Sequence, residues 1–302
     1  MHPRVGVATS SLAPSLDEDG PLLLGALADA GLDAAPVLWD DDAVEWGSLD
    51  CVLVRSVWDY PLRRDEFLDW ARRARSITNP RDVLRWNTDK RYLEDLRSAG
   101  VPIVPTEFLA PGAALPPHRG EIVIKPAVSS SAADTGRFGP GDPAADALLA
   151  LLHSHGRTAM VQPYQARIES EGETSLLFLG GEFSHAMRRE PLLTTTGTRR
   201  PVVVADVLST VRPVTPTAEQ LGIAQAALDA SPGGRHALSY ARVDLLPSDS
   251  GPVLLELEAT DCFLFLGFAP PAALSHLAQS VARIAEAAAS VPPPDRERGG
   301  RE

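Results

Sequence analysis

Two short runs late in the chain, Arg242-Val243-Asp244 and Glu256-Leu257-Glu258, alternate charged with apolar residues. Strand side chains point to opposite faces in turn, so Arg242 and Asp244 share one face, and so do Glu256 and Glu258. The turn-rich Pro247-Ser248-Asp249-Ser250-Gly251-Pro252 joins arms from Ser239 to Leu246 and from Val253 to Ala259 into a hairpin. Centred on Ser250, the hairpin sets Asp244 across from Glu256 and Arg242 across from Glu258; a centre between Asp249 and Ser250 shifts the pairing. Carboxylates crowded on one sheet face repel unless a cation or proton intervenes, and hard oxygen donors so grouped suit Mg²⁺ that also binds phosphate. The same alternation describes an amphipathic hairpin with a solvated acidic face.

Lys125 ends the apolar run Ile122-Val123-Ile124 and precedes Pro126 and a small-residue loop from Ser129 to Gly139 that includes Ser130, Ser131 and Gly136. A lysine there reaches phosphate oxygens as a mobile charge, while small residues let backbone N–H groups approach the anion. A surface lysine beside a flexible linker has the same local sequence. Lys90 lies in a helix expected over Lys90 to Leu96, with Asn87 as its N-cap and Gly100 as its stop.

These residues need a scaffold. Val5 to Ala8, a helix through Leu22 to Leu27 ended by Gly31, and strands at Ala34 to Val37 and Cys51 to Val54 predict a parallel βαβ start, followed by a helix from Asp65 to about Arg75. Open parallel sheets bind ligands beyond the carboxyl ends of their strands, which points to Arg55-Ser56-Val57-Trp58-Asp59-Tyr60. A strand over Ile122 to Lys125, a helix from Ala144 to Leu152 and a strand from Ala159 to Gln162 form a small α+β unit. Thr174 to Leu179, the turn Gly180-Gly181 and Glu182 to Met187 form a hairpin, and a helix over Ala273 to Ala289 closes the fold.

At 302 residues the chain exceeds one hydrophobic core, and its 44% hydrophobic and 23% charged content is that of folded globular domains. A net charge of −12 argues against a polyanion such as nucleic acid as the main partner but leaves room for a local basic pocket for one nucleotide. Cys51 and Cys262 lie far apart in apolar runs, as buried thiols of a reducing cytosol do. No long apolar stretch marks a signal peptide or membrane span, so a cytoplasmic protein is expected.

Asn87 and Lys90, Val123-Ile124-Lys125-Pro126 with its loop, Val161-Gln162-Pro163-Tyr164, Gly172-Glu173, Arg242-Val243-Asp244 and Glu256-Leu257-Glu258 follow in the order of the ATP-grasp superfamily. The chain resembles its glutathione-synthetase-like branch over nearly its whole length. The resemblance implies a mixed α/β and α+β ATP-grasp architecture. It has a Rossmann-like N-terminal domain (1–88), a small central α+β subdomain (89–165) and a C-terminal antiparallel subdomain (166–291), with a disordered tail (292–302). It implies that Lys90 and Lys125 bind ATP phosphates under the Ser129, Ser130 and Ser131 loop, and that Gln162, Pro163 and Tyr164 hold adenine. Glu169 or Glu171 would take the ribose, Asp244, Glu256 and Glu258 would bind two Mg²⁺ ions, and Arg242 would steady the transferred phosphoryl group. Two departures stand out: the phosphate loop is serine- and alanine-rich where glycine is frequent, and Glu258 occupies a position that is commonly asparagine.

Such enzymes phosphorylate a carboxylate and let a nitrogen nucleophile displace the phosphate, with release of ADP. The segments Arg55 to Tyr60 and Arg85-Trp86-Asn87 are similar to those of a set of ATP-grasp enzymes that includes the ligase closing D-cycloserine from O-ureido-D-serine. For a zwitterionic amino acid, Arg55 or Arg189 would meet the carboxylate and Asp59 the ammonium, with Ser56, Tyr60 and His185 as further candidates. Packing accounts for Trp58 and Tyr60 equally well. An intermolecular peptide ligase and a catalytically silent nucleotide-binding regulator are the competing expectations.

Overall fold

In a computed structural model of the protein, the described residues are 2–130, 132–193, 195–198, 208 and 210–290. Ser131 and the expected tail 292–302 lie outside them. Strands β1 (Arg4–Thr9), β2 (Asp33–Leu38), β3 (Cys51–Val54) and β4 (Ile77–Thr78) form a parallel sheet in the order β2-β1-β3-β4. The helix after β1, Gly20–Asp29, ends before Gly31, whose φ of 78° is the left-handed conformation that glycine adopts without strain. The next helix, Arg64–Ala71, stops short of Arg75 because the Arg81 guanidinium reaches the carbonyls of Ala71 and Ala74.

Further along come β5 (Glu107–Leu109), β6 (Ile122–Pro126), β7 (Gly136–Phe138), β8 (Ala159–Pro163), β9 (Glu173–Leu179), β10 (Glu182–Arg189), β11 (Gly197–Thr198), β12 (Arg212–Val214), β13 (Tyr240–Ser248) and β14 (Gly251–Glu258). One five-stranded sheet has the order β11-β7-β6-β8-β5 and packs its own core of Ile122, Ile124, Phe138, Leu148 and Leu152 under the helix Pro143–Ser154. The other, β12-β10-β9-β13-β14, is antiparallel and meets the first sheet in a shared core. There Val5, Val7, Leu53, Leu177, Leu179 and Tyr240 pack with Leu277 and Val281 of the closing helix Pro271–Ala289. That helix is amphipathic, and no helix among the described residues is long and apolar enough to cross a membrane.

Polar side chains stitch the first unit to the edge of the third sheet. Asn87 is not an N-cap: it is the last residue of the helix Arg81–Asn87, and the following helix is Tyr92–Ser98. Its buried amide behaves like one more strand residue beside β14. Nδ2 donates to Leu257 O at 2.7 Å, while Oδ1 accepts from Ala259 N at 2.7 Å and from the Thr260 hydroxyl at 3.1 Å. Asn79 does the same at the other side of the seam, donating to Tyr240 O and Ala259 O and accepting from Ser239 N. The Tyr92 hydroxyl accepts from Leu257 N at 2.9 Å. A buried backbone group without a partner costs more than its hydrogen bond contributes. Asn87→Ala strips partners from Leu257 O and Ala259 N at once, and urea unfolding should report a loss of about 3 kcal/mol. A change under about 0.5 kcal/mol would contradict this role for the amide.

Candidate active site

The hairpin β13–β14 uses both expected registers. Near its charged end Arg242 faces Glu258 and Asp244 faces Glu256, as for a centre on Ser250; near its turn Leu245 faces Leu254 and Ser248 faces Gly251, as for the earlier centre. The shift falls between Asp244 and Leu245, leaving Leu255 as the extra residue of a β-bulge. The charged face lines a cavity between the central sheet and the third sheet.

Within it the charges form two chains. Arg242 donates through Nε to Asp244 Oδ1 at 3.0 Å, through Nη2 to Asp244 Oδ2 at 3.0 Å and to Glu258, and through Nη1 to Phe263 O at 3.2 Å. Asp244 also accepts from the Ser175 hydroxyl at 2.7 Å and from Arg189 at 2.8 Å, and Arg189 pairs with Glu173. Burial disfavours the Asp244 charge, yet Arg189 and Arg242 hold its carboxyl down at about 2. In the second chain the Lys90 ammonium lies 2.9 Å from Glu256 and donates to Ser129 O at 2.8 Å. Burial opposes ionisation of Glu256 too, but Lys90 and Lys125 outweigh it and lower its pKa.

Two groups lack a full counter-charge. Burial lowers the Lys125 pKa, with Glu256 offsetting part of the effect, and its ammonium makes no hydrogen bond to a protein group among the described residues. Burial pushes Glu258 up to about 7, because Arg242 is shared with Asp244 while Glu256 and Asp244 add repulsion. Magnesium fits this pattern only in part. Among the described residues no group of three or more His, Cys, Asp or Glu stands together to hold a metal, since both Asp244 oxygens are taken by Arg189, Arg242 and Ser175. Glu256 and Glu258, two apart on one strand face, remain a hard-oxygen pair of which Glu258 is short of positive charge, and Mg²⁺ bound with phosphates asks for one or two carboxylates.

Above the lysines the loop after β6 contributes Ser129, Ser130, Ala132 and Thr135 to the cavity wall. The Ser130 hydroxyl donates to Trp58 O at 3.4 Å, tying the loop to the first unit. Ala132 and Asp134 adopt φ values of 53° and 51°, which a glycine-rich loop would take without strain. Gln162, Pro163 and Tyr164 line the opposite wall, with Gln162 fixed by a 2.9 Å bond to the Thr106 hydroxyl. Glu169 is engaged by Arg137 at 2.7 Å and by the Tyr164 hydroxyl at 3.1 Å, whereas Glu171 pairs with exposed Arg167.

The substrate-side candidates divide. Trp58, Tyr60 and Arg189 line the cavity. Arg55, Ser56 and Asp59 stand behind its wall: Arg55 is buried against Cys262 O, Asp17 and Asp19, the Ser56 hydroxyl accepts from Asp17 N, and Asp59 takes the Trp39 indole and Arg63. The positions that follow a parallel strand are reached by its loop, but a buried arginine with two carboxylates at hand is spent on packing. His185 is likewise buried beside the Leu264–Phe265 backbone. Sequence reading missed Asp261, which lines the cavity with Thr260, Phe263 and Phe265 in the segment after β14. Its only sequence signal is an acidic residue just beyond the strand whose carboxylates were singled out.

Comparisons with known proteins bear on the family and the fold. A family described as "D-cycloserine synthetase DcsG, N-terminal domain" matches residues 5–80. The cycloserine biosynthesis protein DcsG of Streptomyces lavendulae is 33% identical over 297 residues, covering 92% of this chain and 97% of that protein. The crystal structure of D-cycloserine synthetase DcsG superposes with a TM-score of 0.84 at 30% identity, covering 93% of this chain and 99% of that one. D-alanine–D-alanine ligase from Bacillus anthracis, complexed with ATP, shares the fold, with a TM-score of 0.63 at 14% identity over 94% of this chain and 97% of that one.

Burial holds His185 down at about 4. The unfolded chain therefore binds more protons than the folded one between the ordinary histidine value and 4, and stability falls as pH drops through that window. Between pH 7 and 5 this amounts to about 2 kcal/mol. Asp19, raised by burial to about 6, acts in the opposite sense, so the check is a difference. Urea unfolding of His185→Gln should lose about 2 kcal/mol less than the parent on going from pH 7 to 5, and equal losses would contradict a buried neutral ring.

Proposed function

Because the chain belongs to the family of D-cycloserine synthetase DcsG, among the ATP-grasp ligases, we propose that it closes O-ureido-D-serine to D-cycloserine with ATP as the driving reagent. The observation that carries the reading is the Lys90–Glu256 ion pair, with Lys125 near enough to help lower the Glu256 pKa, in a cavity that also contains Arg242. The substrate carboxylate takes the γ-phosphoryl group and ADP leaves. The nitrogen bonded to the side-chain oxygen attacks the acyl carbon, phosphate departs and the ring closes. Over the whole reaction one water is consumed, and the carbamoyl group leaves that nitrogen as carbon dioxide and ammonia.

The protein's part is neutralisation and orientation. Lys125, lacking a protein partner, and Lys90, once drawn from Glu256, would meet the phosphates beneath the loop that begins at Ser129. Gln162, Pro163 and Tyr164 would flank adenine, and Glu169 would serve the ribose after giving up Arg137. Glu256 and Glu258 would hold magnesium, which supplies positive charge between the phosphates and at the transferred group. Asp244 would orient Arg242 and Arg189 rather than ligate the metal, and Arg242 would steady the phosphoryl group in flight.

The test is to incubate the protein with ATP, Mg²⁺ and O-ureido-D-serine and follow ADP and product mass. One ADP per D-cycloserine is expected. A product joining two amino acids would replace ring closure by an intermolecular ligation, and absence of substrate-stimulated ADP across a broad amino-acid panel would sink both. Glu256→Gln should lower turnover about a hundredfold or more while thermal melting stays close to the parent's.

A further inference from the structure

Asp261 is an acidic group that the reaction as outlined does not use. It follows β14 in the segment Thr260–Leu266, a piece of irregular backbone held from several sides. Tyr240 Oη donates to Thr260 O at 2.9 Å, Arg55 to Cys262 O at 3.1 Å and Arg242 to Phe263 O at 3.2 Å. Asp19 accepts from Leu264 N at 2.8 Å and Leu266 N at 2.7 Å. Phe265 is fixed in a left-handed conformation, φ 51°, with its ring edge-on to Phe263 at 4.9 Å. These bonds fix the backbone on both sides of Asp261 and keep the residue in the cavity lining, between the first unit and the third sheet.

The Asp261 Oδ2 atom is buried and accepts no hydrogen bond. Among the described residues no cation hydrogen-bonds it: Arg55 donates to Cys262 O and faces Asp17 and Asp19 at 3.6 and 3.8 Å, and Arg242 serves Asp244, Glu258 and Phe263 O. Burial, with Glu258 next in effect, pushes the Asp261 pKa well above the carboxylate range, the condition of an acid without a cation. Trp58, Tyr60, Phe263 and Phe265 share the wall with it, and aromatic faces beside a carboxylate make a site for an organic cation more than for a hydrated metal ion.

We infer that Asp261 receives the protonated primary amine of an α-amino acid substrate and thereby turns the substrate's carboxylate toward Arg242 and the nucleotide. The inference rests on the ligase reading for the identity of the amino acid, and it moves the ammonium contact from Asp59, whose oxygens serve Trp39 and Arg63, to Asp261. Asp261 is then a substrate-binding residue, and it selects for substrates that carry an amine next to the reacting carboxylate.

The test pairs a change in the protein with the matching change in the ligand. O-ureido-D-serine and its analogue with hydrogen in place of the α-amine are titrated calorimetrically into the protein loaded with Mg²⁺ and the β,γ-imido analogue of ATP. The wild type should bind the amine about a hundredfold more tightly than the analogue, the scale expected of a buried charge-assisted bond. In Asp261→Asn the preference should fall to about threefold or less, with affinity for the nucleotide and Mg²⁺ unchanged. Asp261→Ser provides the same reading should the asparagine variant melt early. A wild type that does not distinguish the pair, variants that keep the preference, variants that weaken both ligands alike, or variants whose main loss is in Mg²⁺ affinity each overturn the inference. Turnover is read separately: discrimination without D-cycloserine formation would remove the proposed reaction and leave the amine site standing.

Discussion

Charges enclosed in one cavity have to neutralise one another or wait for a ligand that does so, and this condition organises the centre of the molecule. Among the described residues nine charged side chains line the space: Lys90, Lys125, Arg189 and Arg242 against Glu173, Asp244, Glu256, Glu258 and Asp261. Arg189 and Arg242 bridge Glu173, Asp244 and Glu258, and Lys90 meets Glu256. That pairing leaves one ammonium, Lys125, and one carboxyl, Asp261, without a hydrogen-bonded partner of opposite sign. A cavity so composed is complementary to a polyanion and an organic cation bound together. Nucleotide and amino acid are one such pair, and neither alone completes the balance.

The balance holds only if the strand that carries Glu256 and Glu258 stays where it is. β14 is the edge of the third sheet, and an edge strand presents unpaired backbone groups. Here the side chains of Asn79, Asn87 and Tyr92 pair with its far end in place of a neighbouring strand. Two amides and a phenol are specific in a way a backbone ladder is not, because each is one residue whose position the first unit dictates. Residues 102–104 close the near end, where Pro102 and Val104 exchange bonds with Leu254. The metal-binding candidates are thus located by contacts from two other parts of the fold.

Much of this was legible in the sequence. Period-two alternation gave the late hairpin and the shared face of its four charges, the Gly180-Gly181 turn gave the earlier hairpin, and the strand Cys51–Val54 follows from an unbroken apolar run. The ambiguity of the hairpin centre was real in physical terms: the bulge at Leu255 lets one register serve the turn and the other serve the site. The helix Ala218–Asp229 was readable from the capping box Thr217 and Gln220 but drew no attention beside the chemistry. Asn87 misled because asparagine caps helices through local bonds, whereas its partners here lie some 170 residues away. Arg55, Asp59 and Asp261 failed for the same reason. Which charged residue faces a cavity depends on what else is buried around it, and no local pattern encodes that.

Glu258 sharpens the point. Where an amide would accept and donate without net charge, the carboxyl adds a negative group to a site already holding Glu256 and Asp244, and its pKa rises to about 7. Protonation or a cation relieves the repulsion, and a ligand that binds the folded state alone stabilises it by mass action. Under the proposed function, part of the binding free energy of metal and nucleotide would be the removal of this repulsion rather than the making of new contacts. The arginines that hold Asp244 stand outside that exchange, because their carboxylate is already satisfied.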